Sequence, residues 1–227
     1  MRCAIVQPSY IPWRGYFDLI SRVDRFVFYD DVQYDHRGWR NRNRIKTPRG
    51  TQWLTVPVHA RRIPICEIET VDSDWPREHL AALTRSYLRA PHFDEFRPWL
   101  ERVYASPPRQ LADFTIALTL DVARFLGITT PTLRSSSLQV HGAKTERLLE
   151  VLRAVGATRY LSGPSARAYL DVELLASAGI EVEWMTYDVP EYEQLYPPFD
   201  PHVTVLDFLF MAGAGGLKPA LRSACST

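Results

Sequence analysis

No apolar run in the 227 residues approaches the roughly 20 that a membrane-spanning helix needs, so no membrane span is expected. Cysteine is scarce. Cys3, Cys66 and Cys225 are odd in number, far apart and at no metal-ligand spacing, which argues against a disulfide framework and a zinc site and points to a reducing, cytoplasmic setting. Charge of either sign is not in excess: 27 Lys and Arg face 26 Asp and Glu, so no global field recruits nucleic acid or an anionic membrane. The first residues lack the apolar core of about 7–15 residues that marks a secretory signal. No G-x-S-x-G elbow, Walker loop or G-x-G-x-x-G fingerprint is present, and no two of the six histidines stand at a metal spacing.

What is present concentrates at the N-terminus. Cys3 to Val6 is a short apolar run of strand character, stopped by Gln7-Pro8. Pro12-Trp13-Arg14-Gly15 is a loop, and Tyr16, Phe17, Leu19, Ile20 and Val23 then recur at helical spacing. Phe26 to Tyr29 reads as a second buried strand ending in Asp30 and Asp31. Ligand crevices of open α/β sheets lie at the carboxyl ends of strands, which gathers Gln7, Tyr10, Trp13 and Asp30/Asp31 around one expected cleft.

Further along, Gln33 to Gly50 is a polar, basic stretch, Trp53 to Val58 a strand, and Ile65 to Val71 a candidate partner for it. Helices are expected at Trp75–Ala90, Phe93–Tyr104 and Leu111–Leu126. Thr132–Leu138 returns to strand character, Ala143–Val155 is a helix, Tyr160–Leu161 a strand, Leu170–Ala178 a helix and Ile180–Trp184 a strand. A Pro- and Tyr-rich tail, Tyr187 to Pro201, is too aromatic for a free linker, and Val203–Phe210 is a last apolar segment before a frayed end. Alternating strands and helices indicate a mostly parallel sheet covered on both faces. The expectation is a single domain over residues 1–227, with a helical insert or lid at about 74–127.

The run from His36 to Arg49 holds five arginines and a lysine without an acid. Arg40, Arg42 and Arg44 alternate, so on an extended chain they share one side, with Asn41 and Asn43 on the other. Their forks suit phosphate or carboxylate. The competing reading is a solvated loop paired with Asp30, Asp31 and Asp35. Trp39 and Trp53 favour a lined anion pocket, because exposed tryptophans usually have a partner. Asp30 and Asp31 are either a base or metal-ligand pair or the salt-bridge partners of these arginines. His79, on a helix, is more often a packed residue than a base. His141-Gly142-Ala143-Lys144 opens a helix and could hold an anion on free amides or be an ordinary cap. Ser162-Gly163 lies at a strand's carboxyl end, where a plain turn is the alternative.

AIVQPSYIPWRGYF (Ala4–Phe17), YDDVQY (Tyr29–Tyr34), WRNRNRI (Trp39–Ile45), WLTVP (Trp53–Pro57), YLSG (Tyr160–Gly163) and LDF (Leu206–Phe208) resemble the WbqC-like protein family over roughly residues 2 to 213. The chain departs from the family pattern near its end, where Ala212 rather than Asn precedes Gly213. The resemblance implies service in O-antigen, other surface-polysaccharide or natural-product clusters. It implies a transferase that acylates an amine, moving an acyl or aminoacyl group such as glycyl from a carrier-protein thioester to an amino sugar or similar acceptor. No resident cofactor is implied beyond a phosphopantetheine-linked donor. The expected partners are an amine or nucleotide-sugar substrate and an acyl or peptidyl carrier protein. Trp13-Arg14-Gly15-Tyr16 is also similar in placement to the His-x-Gly-His motif of nucleotidyltransferase-like (HUP-like) folds, with both histidines replaced by aromatics. This implies a three-layer Rossmann-like α/β fold and weakens adenylation. Asp30 or Asp31 is the expected base and His79 the runner-up. Gln7, Tyr10, Trp13, Tyr16, Gln33, Arg37, Trp39, Arg42, Arg44, Trp53, Lys144, Ser162 and Tyr169 are the expected substrate-binding residues. Two other functions compete: an ATP-dependent ligase or nucleotidyltransferase, and a non-catalytic binder of a carrier- or nucleotide-linked intermediate.

Overall fold

A computed structural model describes residues 1–36, 38–59, 62–187 and 190–214. In chain order the elements are β1 (Arg2–Val6), α1 (Arg14–Ser21), β2 (Arg25–Phe28), β3 (Arg42–Thr47), β4 (Gly50–Thr55), α2 (Trp75–Tyr87), α3 (Phe93–Ala105), α4 (Leu111–Phe125), β5 (Thr132–Arg134), α5 (Lys144–Ala154), β6 (Arg159–Ser162), α6 (Val172–Ser177), β7 (Glu181–Trp184) and α7 (Val205–Ala212), with three short 3₁₀ turns between them.

Five strands form one parallel sheet in the order β5-β2-β1-β6-β7. Its central strands read as unbroken apolar runs because both faces are covered. Successive residues pack to opposite sides. Cys3, Ile5 and Val27 join Leu148, Leu149, Leu152 and Leu175 of α5 and α6. Ala4, Phe26, Phe28 and Leu161 join the larger core of α1, α2, α3, α4 and α7. The order along the sheet reverses between β1 and β6, and that reversal point opens the crevice.

The basic stretch expected as loop is half strand. β3 and β4 form an antiparallel hairpin in register Arg42↔Thr55 to Thr47↔Gly50, closed at Gly50 with φ +103, a backbone region that disfavours a Cβ. Its inner face carries Asn43 and Ile45, both buried, and its outer face carries Arg42, Arg44 and Trp53. Ile65–Val71 is not a strand. It makes a 3₁₀ turn, Ile65–Glu67, and two isolated bridges, Val58↔Thr70, which joins it to the segment after β4 as expected, and Glu69↔Gln110. Helices α2 to α4 pack their aromatic faces into the common core with α1 and α7.

A buried polar contact ties this helical layer to the loop after β1. The Tyr10 hydroxyl lies 2.8 Å from His79 Nδ1 and 2.5 Å from the Tyr104 hydroxyl, and all three residues are buried. Burial pulls the His79 pKa from 6.5 down to about 4, so the folded imidazole is neutral. The unfolded chain takes up its proton near pH 6.5 and the folded chain only near 4. Stability therefore falls as pH drops through that window. Between pH 7 and pH 5 the loss assigned to His79 is about 2 kcal/mol. Urea unfolding at the two pH values should show that drop in the wild type and a smaller one in His79→Leu. An equal drop in both would place the acid sensitivity elsewhere.

Candidate functional site

A cleft of about 390 Å³ lies at the carboxyl ends of β1 and β6. The loop Gln7–Trp13, between β1 and α1, forms its floor. That loop is strained: Ile11, a β-branched residue, sits at φ 35, a conformation L residues avoid. The hairpin segment holds it there. Asn43 Nδ2 donates to the carbonyls of Tyr10 (3.2 Å) and Ile11 (2.8 Å), the Tyr10 amide donates to the Trp39 carbonyl at 3.2 Å, and Arg40 Nη1 donates to the Gln7 carbonyl at 3.1 Å. The Tyr16 hydroxyl reaches the same Gln7 carbonyl. The Trp13 indole folds over Gly15, where an added Cβ would stand 2.4 Å from the ring, so glycine is required for that approach.

The tail supplies the outer wall. Arg14, buried at the start of α1, donates to the Pro190 carbonyl at 2.6 Å and its guanidinium stacks on Tyr192 and Phe208. Lys46 Nζ donates to the Pro198 carbonyl. Buried Asp207 accepts from Tyr87 (2.9 Å) and Tyr192 (2.7 Å), and burial raises its pKa. Thus anchored, the tail brings Tyr187 to 4.9 Å and His202 to 5.6 Å from the Trp13 ring, centroid to centroid.

The walls are aromatic, with Trp13, Tyr16, Trp39, Tyr169 and Tyr187, and the polar groups are Ser9, Arg40, Asn43, Ser162, Ser165 and His202. Among the described residues Arg40 has no salt bridge; its Nη1 is held by the Gln7 carbonyl and its Nε is buried without a hydrogen-bond partner. Burial lowers its pKa, but a guanidinium stays protonated. His202 Nδ1 lies 3.8 Å from Asp200 Oδ1. The arrangement suits a ligand with an anionic group for Arg40 and hydroxyls for the serines, beside an imidazole able to move a proton.

Of the expected residues, Trp13, Tyr16, Trp39, Ser162 and Tyr169 line this cleft. Gln7 contributes its carbonyl beneath the floor. Tyr10 and His79 are inside the core. Asp30 is fully buried at the end of β2, where it accepts from Arg134 Nε (2.5 Å), Ser136 Oγ (2.9 Å) and the Ser136 amide (3.0 Å). Asp31 accepts from Arg147 Nη2 and Ser135 Oγ, each at 2.5 Å. Both carboxylates thus pair with arginines, but with Arg134 and Arg147 rather than those of the basic run, and neither lines the cleft. Arg42, Arg44 and Trp53 are on the outer face of the hairpin, Gln33 and Lys144 are exposed elsewhere, and Arg37 lies outside the described residues. None of residues 74–127 lines the cleft. Ser9, Arg40, Asn43, Ser165, Tyr187 and His202 are additions. Arg40 and Asn43 belong to the basic run, but the alternation set them on opposite sides; they share the cleft because Arg40 precedes β3 and does not follow its alternation, whereas Tyr187 and His202 depend on the return of the tail. Among the described residues no group of three His, Cys, Asp or Glu side chains could hold a metal, and no helix is long and apolar enough to cross a membrane.

Removing the Asp30 charge leaves Arg134 and two serines facing a buried amide. Breaking a buried pair in this way costs about 3–5 kcal/mol. Chemical denaturation of Asp30→Asn should show a loss of that order, and an unchanged midpoint would contradict a structural role.

The family model described as the WbqC-like protein family matches residues 7–218. The uncharacterized protein Rv1507c of Mycobacterium tuberculosis is 44% identical over 218 residues, covering 94% of this chain and 94% of that protein. No solved structure matches the chain.

Proposed function

From the premise that the chain belongs to the WbqC-like protein family, we propose that it is a transferase that acylates the amine of an amino sugar or similar acceptor, with a thioester as donor. The observation that carries this reading is one cleft lined by both Arg40, whose Nη1 is bonded to the Gln7 carbonyl while its Nε has no hydrogen-bond partner, and His202, which stands beside Asp200. Arg40 binds a phosphate of the substrate, bidentate contacts to guanidinium being the strong form of that recognition. The hydroxyls of Ser9 and Ser165 orient the sugar. His202, steadied by Asp200, takes a proton from the acceptor ammonium, and the freed amine attacks the thioester carbonyl. The tetrahedral intermediate then collapses with cleavage of the C–S bond. The thiol leaves with a proton, and the amide remains on the acceptor. The serine hydroxyls of the cleft are the donors available to the developing oxyanion.

The strand order supports a nucleotide-linked acceptor. Numbered by appearance within the parallel sheet, it runs 3-2-1-4-5, as in doubly wound nucleotide-binding folds. The Rossmann-like and HUP-like assignment belongs to this proposal, as do a phosphopantetheine-linked donor and a carrier-protein partner. Asp30, Asp31 and His79 are not assigned as base here, because their hydrogen-bonding atoms are engaged inside the protein.

Thiol release from glycyl and acetyl thioesters of pantetheine, with amino-sugar nucleotides as acceptors, tests the reading. His202→Ala should lower kcat by roughly 10²–10⁴-fold, and Arg40→Ala should mainly raise the acceptor KM. Unchanged turnover in His202→Ala would refute its role as base. Turnover only with ATP and magnesium would establish the ligase alternative, and binding without turnover the non-catalytic one.

A further inference from the structure

The outer wall of the cleft is built unlike the rest of the molecule. No residue from Pro190 to His202 is buried, and none lies in a helix or strand. Among the described residues no backbone-to-backbone hydrogen bond ties this segment to the body of the protein. The chain is fixed on either side of it. Buried Met185 donates its amide to the Ser162 carbonyl at 2.8 Å. Val203 is buried, and the next amide, of Thr204, donates to the Arg44 carbonyl at 3.0 Å. Between those points the contacts with the body are made by side chains. Arg14 and Lys46 donate to the carbonyls of Pro190 and Pro198, the Tyr196 hydroxyl donates to the Ser86 carbonyl at 2.9 Å, and Arg44 lies 3.8 Å from Asp200.

One side chain links this wall to its deepest anchor. Gln194 Nε2 donates to the Tyr192 hydroxyl (3.0 Å) and the Asp200 carbonyl (3.1 Å), and its Oε1 accepts from the Asp200 amide (2.9 Å). Tyr192 is held in turn, its hydroxyl on buried Asp207 at 2.7 Å and its ring 5.0 Å from that of Phe208. On the far side, Asp200 Oδ1 accepts from the His202 amide at 2.9 Å, and the His202 ring stands against Trp13. Asp207, Tyr192, Gln194, Asp200 and His202 are therefore connected in series, and the middle link is one half-buried, neutral side chain. A segment with few buried contacts and water-accessible hydrogen bonds opens far more readily than a core. The loop after β1 does not depend on it, being held by Asn43 from beneath.

We propose that Gln194–His202 is the lid of the cleft and that Gln194 is its latch, a positioning residue that sets His202 against Trp13 only in the closed state. When the latch releases, Asp200 and His202 leave together and the cleft loses its outer wall, so substrate enters and product leaves on that side. Closure returns the His202–Asp200 pair to the cleft that Arg40 lines. The inference rests on the proposed reading in taking His202 for the base, and it adds the gating of that site.

Native-state hydrogen exchange of the full chain, read amide by amide in increasing urea, tests it. The Asp200 and His202 amides should exchange by a local opening that is insensitive to urea below the unfolding transition, while amides of β1 and β6 follow global unfolding. Gln194→Ala should speed exchange of the His202 amide, which is not bonded to Gln194, about fivefold or more, the worth of one lost hydrogen bond. In the thiol-release assay the same variant should lower kcat with little change in acceptor KM, since Arg40 and the serines stay in place. If the Asp200 and His202 amides instead follow urea with β1 and β6, the wall is a fixed part of the body and the lid is overturned. That arm uses the wild type alone, so it decides even where the variant fails to fold. Absence of protection at both amides would remove the closed state and with it the latch. An unchanged His202 amide in Gln194→Ala would overturn the role of Gln194. Local opening that depends on Gln194, without thiol release from any thioester, would sustain the lid and remove the transferase reading. Thiol release that needs His202 but keeps its kcat in Gln194→Ala would do the reverse.

Discussion

Asn43 must satisfy its side-chain amide inside the protein, and it does so on the two carbonyls that flank the strained turn at Ile11. Its Oδ1 accepts from the Arg44 amide at 2.7 Å, so both ends of the amide are used. A buried amide with this many partners has one orientation. The loop after β1 is thereby locked to the hairpin, and everything in the cleft inherits its position from that lock. Trp13 points across the opening because the loop turns at Ile11. Arg40 reaches the cleft because its neighbour Asn43 is fixed two residues into β3. The tail then closes on a surface that already exists, pairing Thr204 with Arg44 (3.0 Å) and Val205 with Pro12 (2.9 Å) through the backbone.

A second constraint sits at the end of β2. Asp30 and Asp31 bind Arg134, Arg147 and the serine turn after β5. Two carboxylates at a strand's carboxyl end have the appearance of catalytic groups, yet here they fasten three segments together. Charge buried in this way is strongly destabilising when either partner is lost. The anionic end of β2 and the cationic cleft at β1 and β6 are therefore separate structures, although they stand on neighbouring strands.

The parallel strands and most helices were legible in the sequence because their signals are local: apolar runs at β1 and β2, helical spacing in α1 to α5, glycines after α4 and α5. The hairpin was half hidden, since Arg42 and Arg44 suggest a solvated loop until Asn43 and Ile45 are seen to alternate inward. Ile65–Val71 was legible only in part: it pairs with the segment after β4 at the Val58↔Thr70 bridge, but it begins as a 3₁₀ turn rather than a strand. At the site, Trp13, Tyr16, Trp39, Ser162 and Tyr169 were legible because they follow strand ends or the family motifs. Tyr187 and His202 were not, because the tail is brought back by long-range contacts, among them those of Arg14, Lys46 and Asp207. Asp30 and Asp31 were legible as a pair, but their partners lie more than a hundred residues away in the chain, beyond any local pattern.

The lock on the loop is the claim that most exposes this account to test, and native-state hydrogen exchange in Asn43→Ala measures it directly. The amide of Tyr10, bonded to the Trp39 carbonyl, should lose protection while those of β1 and β2 keep theirs, since a local opening need not involve the global core. Protection of the Tyr10 amide unchanged from the wild type would contradict the account, because the cleft would then owe its shape to something other than the hairpin beneath it.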